Sequence, residues 1–240
     1  MLITDKRCWV EINLSQILEN YRIYKNQLPS KTKVMAIIKA DAYGHGDVEV
    51  AEVLQKEGVT DFAVATLDEA IKIRTSGING QIFVLGYTPI AQAQNLVEYD
   101  ITQAVVDAHH AEVLAKISQN IKVVFALDTG MNRIGLDADD LDYCEKLIRE
   151  YAGKLQVQGI FTHLCVADTD TSEAINFTNN QIKKFEAVAE RVAGLKLPYV
   201  HCLNSAGGLV EQMRKISFCA ARNHSLWFEA FIFEYFATGN

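Results

Sequence analysis

Short apolar runs alternate with amphipathic stretches along almost the whole chain, and that alternation limits the fold more than any other feature. The runs occupy residues 34–40, 62–65, 82–86, 103–106, 123–127, 157–164 and 199–203, with a weaker eighth at 216–221. Between them, apolar residues recur at helical spacing in residues 48–56, 67–75, 108–118, 138–151 and 176–192. Thr66, with Glu69 three residues later, predicts an N-cap for the second of these helices. Strands separated by helices of this length pair in parallel through crossovers. Eight such units predict an α/β fold of the (β/α)8, TIM-barrel type, its eighth unit open to being incomplete. An open doubly wound sheet is the competing architecture. No G-x-G-x-x-G opens a helix, which weakens a dinucleotide-binding reading.

In a barrel of this kind the chemistry gathers where the strands end at their C-termini. Four polar clusters fall at such ends. Lys39 and Tyr43 follow the first run. Asp128-Thr-Gly-Met-Asn-Arg133 follows the fifth, Thr162-His163 through Asp168 the sixth, and Asn204-Ser205 the seventh. A lysine at a buried strand end is partly desolvated, which disfavours the ammonium and leaves an amine able to form a Schiff base. Arg133 is a fork donor suited to a carboxylate or phenolate oxygen. His163 could stack on or bond to a planar ring. Ser205 suits a phosphate in the loop after the seventh strand. Plainer roles exist too: Asn204-Ser205 could cap the next helix, and Asp128 and Thr129 could shape a turn.

Bulk properties narrow the function classes. A net charge of -7 argues against nucleic acid or an anionic membrane surface as a main partner. No apolar stretch is long enough for a transmembrane helix, and the N-terminus lacks a signal-peptide layout, so a cytoplasmic location is expected. The five cysteines lack C-x-x-C spacing and read as free thiols, with no metal site expected.

The segments A-I-I-K-A-D-A-Y-G-H-G, L-D-T-G-M-N-R-I-G, F-T-H-L-C-V-A-D and H-C-L-N-S-A-G resemble the successive signatures of the alanine racemases, in the same order. The resemblance runs from about Trp9 to about Arg222. It implies a fold-type III barrel that holds pyridoxal 5'-phosphate and interconverts L- and D-alanine, supplying D-alanine for cell-wall peptidoglycan. A serine-preferring racemase is a close variant of the same expectation. The resemblance assigns Lys39 as the Schiff-base and catalytic lysine. It places Tyr43, Leu85, His163, Asn204 and Ser205 at the cofactor, the serine on its phosphate. It puts Arg133 on the substrate carboxylate and Arg222 at the pyridine nitrogen. A single-barrel pyridoxal-phosphate-binding protein of the cofactor-homeostasis type is the alternative reading.

Two departures stand out. The family commonly carries a carbamylated lysine two residues before the Asp-Thr-Gly, and here that position is Ala126. After Arg222 the sequence ceases to resemble the family. Residues 1–222 are therefore expected to form the barrel and 223–240 a non-homologous tail. The family is homodimeric, and the β-domain that completes the partner's site and carries a second base is expected to be missing, impairing turnover.

Overall fold

The structure is a computed structural model that describes residues 8–29 and 32–209, and the backbone of 226–230. Its elements in chain order begin with α1 (Leu14–Gln27), β1 (Lys33–Ile37), α2 (Lys39–Gly44, a single turn), α3 (Asp47–Lys56), β2 (Asp61–Val64) and α4 (Leu67–Thr75). Then come β3 (Gln81–Val84), α5 (Gln94–Glu98), β4 (Ile101–Val105), α6 (Ala108–Ile117), β5 (Lys122–Asp128) and a two-residue strand, β6 (Leu136–Asp137). The described chain ends with α7 (Leu141–Ala152), β7 (Gln156–Phe161), α8 (Ser172–Val192), β8 (Tyr199–Leu203), α9 (Ser205–Leu209) and β9 (Leu226–Ala230).

Every strand pairing is parallel. β1, β2, β3, β4, β5, β7, β8 and β9 pair in that cyclic order, and β9 returns to β1, so the ring closes. β6 adds a short extension at the C-terminal end of β5. The expected (β/α)8 barrel is therefore present. Its eighth strand comes from 226–230. The weak run at 216–221 lies outside the described residues.

The strands read as continuous apolar runs because both faces are buried. On β1, Met35 and Ile37 point into the barrel, where they join Ala63, Phe83, Ala104, Val124, Ala126 and Phe161. The intervening Val34, Ala36 and Ile38 face the helices and pack in the outer core with Phe62, Val64, Leu54 and Ile73. The N-terminal end of the barrel is sealed by polar contacts. The Tyr199 hydroxyl donates to Asp61 Oδ1 at 3.0 Å, and the Thr60 hydroxyl donates to the other carboxylate oxygen. Burial pushes the Asp61 carboxyl up, and burial and Asp61 together push the Tyr199 phenol up.

The expected N-cap of α4 is a full capping box: Thr66 Oγ1 accepts from the Glu69 amide while the Glu69 carboxylate accepts from the Thr66 amide. α1 was not anticipated. Its signal is nonetheless in the sequence, with Leu14, Ile17, Leu18, Tyr21 and Tyr24 on one helical stripe behind the Asn13 cap. Among the described residues, no helix is long and apolar enough to cross a membrane.

Candidate active site

The first apolar run does not stay a strand as far as residue 40. β1 ends at Ile37, and Lys39 opens α2, a turn of unusual hand. Ala40, Asp41, Ala42 and Tyr43 all have φ between 50° and 56°, so four consecutive residues bearing a Cβ are left-handed. Each such residue costs roughly 1–2 kcal/mol. Strain of this kind persists only where surrounding contacts over-determine it, and it clusters at functional sites. Here the Ala42 amide donates to the Ile38 carbonyl and the Gly46 amide to the Asp41 carbonyl, and His45 Nδ1 lies 2.9 Å from the Ala42 carbonyl. Asp41 Oδ1 accepts from the Asp47 amide, and that bond holds the Asp41 carboxyl below its ordinary range. Lys39 is thereby carried on the rim of the barrel mouth, half-buried, with its Nζ 5.9 Å from the Tyr43 ring centroid.

Across the mouth, the loops after β5 and β7 carry Arg133 and His163. They are joined from behind by Gln181 of α8, a fully buried residue. Its Nε2 donates to Thr129 Oγ1 and to the His163 carbonyl, both at 3.1 Å, and its Oε1 accepts from the Cys165 amide at 3.2 Å. Thr129 and Thr162 share a hydroxyl contact of 2.8 Å, and Thr162 donates to the Leu127 carbonyl. One amide thus satisfies three separate partners and sets the spacing of two loops. Sequence reasoning did not single it out, because a glutamine on an amphipathic helix normally faces solvent.

Lys39, Leu85, Arg133 and His163 line one cleft of about 110 Å³, floored by Ile37, Ile134 and Phe161. A second, small cavity of about 20 Å³ adjoins it, bounded by Ala126, Asp128, Met131, Arg133 and His163 among others. Ala126 points into the barrel and is 2% exposed. The guanidinium of Arg133 is exposed, and no ion pair involves it among the described residues. Tyr43, Leu85 and Ile134 each pack against the inner core, and Leu85 and Ile134 also line the cleft.

Asn204 adopts the plainer of its expected roles. Its Oδ1 accepts from the Gly207 amide and caps α9, while its Nδ2 donates to the Leu164 carbonyl at 2.9 Å. It therefore binds the loop after β8 to the His163 loop. Ser205, the first residue of α9, sits half-buried on that loop. Arg222 lies outside the described residues. Cys8, Cys144, Cys165 and Cys202 are free thiols, and no His/Cys/Asp/Glu group among the described residues could hold a metal ion. Cys219 lies outside the described residues.

A buried histidine braces the Arg133 loop from the side. The Val106 amide faces His110 Nδ1 at 3.4 Å, and the Val106 carbonyl accepts from the Gly135 amide at 2.8 Å. Burial lowers the His110 imidazole from 6.5 to about 4. The unfolded chain then takes up a proton before the folded one does. Stability is full above pH about 6.5 and falls as the pH drops from there toward 4. The loss from this group is expected to be of order 2–3 kcal/mol. His110→Gln should flatten the melting-temperature profile across that window, and an unchanged acid slope would contradict the assignment.

Known proteins share both sequence and shape with this chain. Residues 12–222 match the family described as "Alanine racemase, N-terminal domain". An "Amino-acid racemase" of Enterococcus faecalis is 37% identical over 204 residues, covering 84% of this chain and 28% of the relative. An "Alanine racemase" of Carboxydothermus hydrogenoformans is 36% identical over 207 residues, covering 82% of this chain and 54% of the relative. A solved alanine racemase of Clostridium difficile superposes with a TM-score of 0.84 at 29% identity, covering 96% of this chain and 59% of that one. The chain spans about half the length, or less, of the curated relatives it matches.

Proposed function

This chain belongs to the alanine racemase N-terminal domain family, and on that premise we propose that it is the pyridoxal-phosphate-binding barrel of an amino-acid racemase acting on alanine. The convergence of Lys39, Arg133 and His163 on one cleft carries this reading. Its mix of an apolar floor and a few polar groups is that of a small-molecule site. Lys39 would hold the cofactor, His163 would contact its ring, and Tyr43, Asn204 and Ser205 would border its phosphate. When bound, pyridoxal phosphate supplies an electron sink for the pair left as the substrate Cα loses its proton.

The residues of the chain have separate tasks in this proposal. Lys39 Nζ takes or returns the proton on one face of Cα. Arg133 binds the substrate carboxylate through its planar fork. Racemisation needs a second acid–base group on the opposite face. In this reading that group belongs to the family's β-domain, contributed across the dimer, and not to the barrel of residues 1–222. Serine is the alternative substrate, and the cytosol, where alanine and the cofactor are available, is the proposed location. Incubating the chain with pyridoxal phosphate and L-alanine in heavy water tests the activity. Deuterium is expected at Cα of at least one alanine enantiomer. A complete lack of exchange with cofactor bound would leave a cofactor carrier instead.

Ala126 provides a finer test of the substrate side. Ala126 and Arg133 line the same small cavity, so a longer side chain at 126 would press on Arg133. Ala126→Lys is expected to change the Michaelis constant for alanine severalfold, while pyridoxal phosphate affinity shifts less. Equal shifts in both would show that Ala126 does not act through Arg133.

A further inference from the structure

The left-handed turn beside Lys39 is held by groups that do not belong to it. α4 presents Glu69 and Lys72, three residues apart and so on one helix face. Lys72 Nζ lies 2.6 Å from Asp47 Oδ1 and 3.4 Å from Asp41 Oδ1, and the first of these bonds raises the lysine above its ordinary range. These contacts hold the far end of the turn. Glu69 holds the near end: its Oε1 accepts from the Ala40 amide at 2.8 Å. Its Oε2 serves the end of β2 and the helix cap, accepting from Ala65 at 2.8 Å and Thr66 at 3.1 Å.

A capping box needs only one of these oxygens. The other is committed to Ala40, 29 residues earlier, in a different loop. The Ala40 N–H shares a peptide plane with the Lys39 carbonyl. Fixing that plane fixes the backbone torsion from which the Lys39 side chain springs. We propose that Glu69 is a positioning residue that sets the hand of the turn and so aims Lys39 into the cleft. This rests on the reading of Lys39 as the cofactor lysine.

The test compares the full chain with Glu69→Gln, Glu69→Asp and Thr66→Ala. Thr66→Ala removes the hydroxyl that caps the same helix and leaves the Glu69–Ala40 bond in place. Three quantities are measured: pyridoxal phosphate affinity by titration of its visible absorbance, hydrogen exchange of residues 38–46 without cofactor, and melting temperature. Both Glu69 variants are expected to weaken the cofactor about tenfold or more and to speed exchange in the turn. Glu69→Asp keeps the charge but is one methylene too short to span both loops. Thr66→Ala is expected to lower the melting temperature comparably, with affinity and exchange in the turn within twofold of the parent. Equal affinity losses in Thr66→Ala and the Glu69 variants would overturn the proposal by making the effect one of helix stability. Exchange in the turn unchanged by either Glu69 variant would also overturn it. If the parent chain binds no cofactor, the reading of Lys39 fails, and the exchange measurement still decides the role of Glu69.

Discussion

Lys39→Ala is expected to lose pyridoxal phosphate binding almost completely while the melting temperature stays within a few degrees of the parent. Lys39 sits half-buried on the rim of the mouth, beyond the last residue of β1, and is not in either apolar core cluster. Removing its side chain creates no core cavity, so the stability cost should be that of a surface change, within about 0.5 kcal/mol. The ligand cost is different in kind, because no described lysine other than Lys39 lines the cleft. Deuterium exchange at alanine Cα should fall by at least the 10²–10⁴-fold typical of a lost acid–base group. Retention of the visible cofactor band in Lys39→Ala would reject the assignment.

Gly135→Ala is expected to be among the most destabilising single-methyl changes in the barrel. Gly135 has φ 114°, outside the range an L side chain readily adopts. A Cβ there would stand 2.7 Å from the Asp128 amide nitrogen and 2.9 Å from the Ala126 carbonyl carbon and oxygen. All of these atoms are backbone of β5, which is locked between β4 and β7 and cannot yield. The cost should be about 3 kcal/mol or more, or roughly 6–12 °C in melting temperature. Because Gly135 closes the loop that carries Arg133, the surviving folded fraction should bind alanine more weakly than pyridoxal phosphate. A melting temperature within 2 °C of the parent would show that the loop does not pack on β5 this closely.

The parts of this molecule legible in sequence are those fixed locally. The strands announced themselves because inward residues such as Met35 and outward ones such as Ala36 are equally buried, which gives unbroken apolar runs. Thr66 and Glu69 declared a helix start through a three-residue spacing. The K-A-D-A-Y-G-H-G signature marked the lysine. What stayed hidden depends on distant partners. Nothing in Ala40-Asp-Ala-Tyr43 predicts a left-handed turn. Glu69, Asp47 and Lys72 impose it, and they become neighbours only once the barrel closes. Gln181 looks like any surface glutamine until α8 packs and its amide finds Thr129, His163 and Cys165. The closing strand at 226–230 was missed because the eighth apolar run was read at 216–221 and the resemblance stops at Arg222.

In the proposed function, Lys39 holds pyridoxal phosphate at the C-terminal mouth of the barrel. The most direct test is to reduce the chain with borohydride in the presence of pyridoxal phosphate, digest it, and map the modified lysine by mass spectrometry. A single stoichiometric label on Lys39 is expected. A label on Lys33, Lys72 or any other lysine in its place, or no label above that of a denatured control, would contradict it.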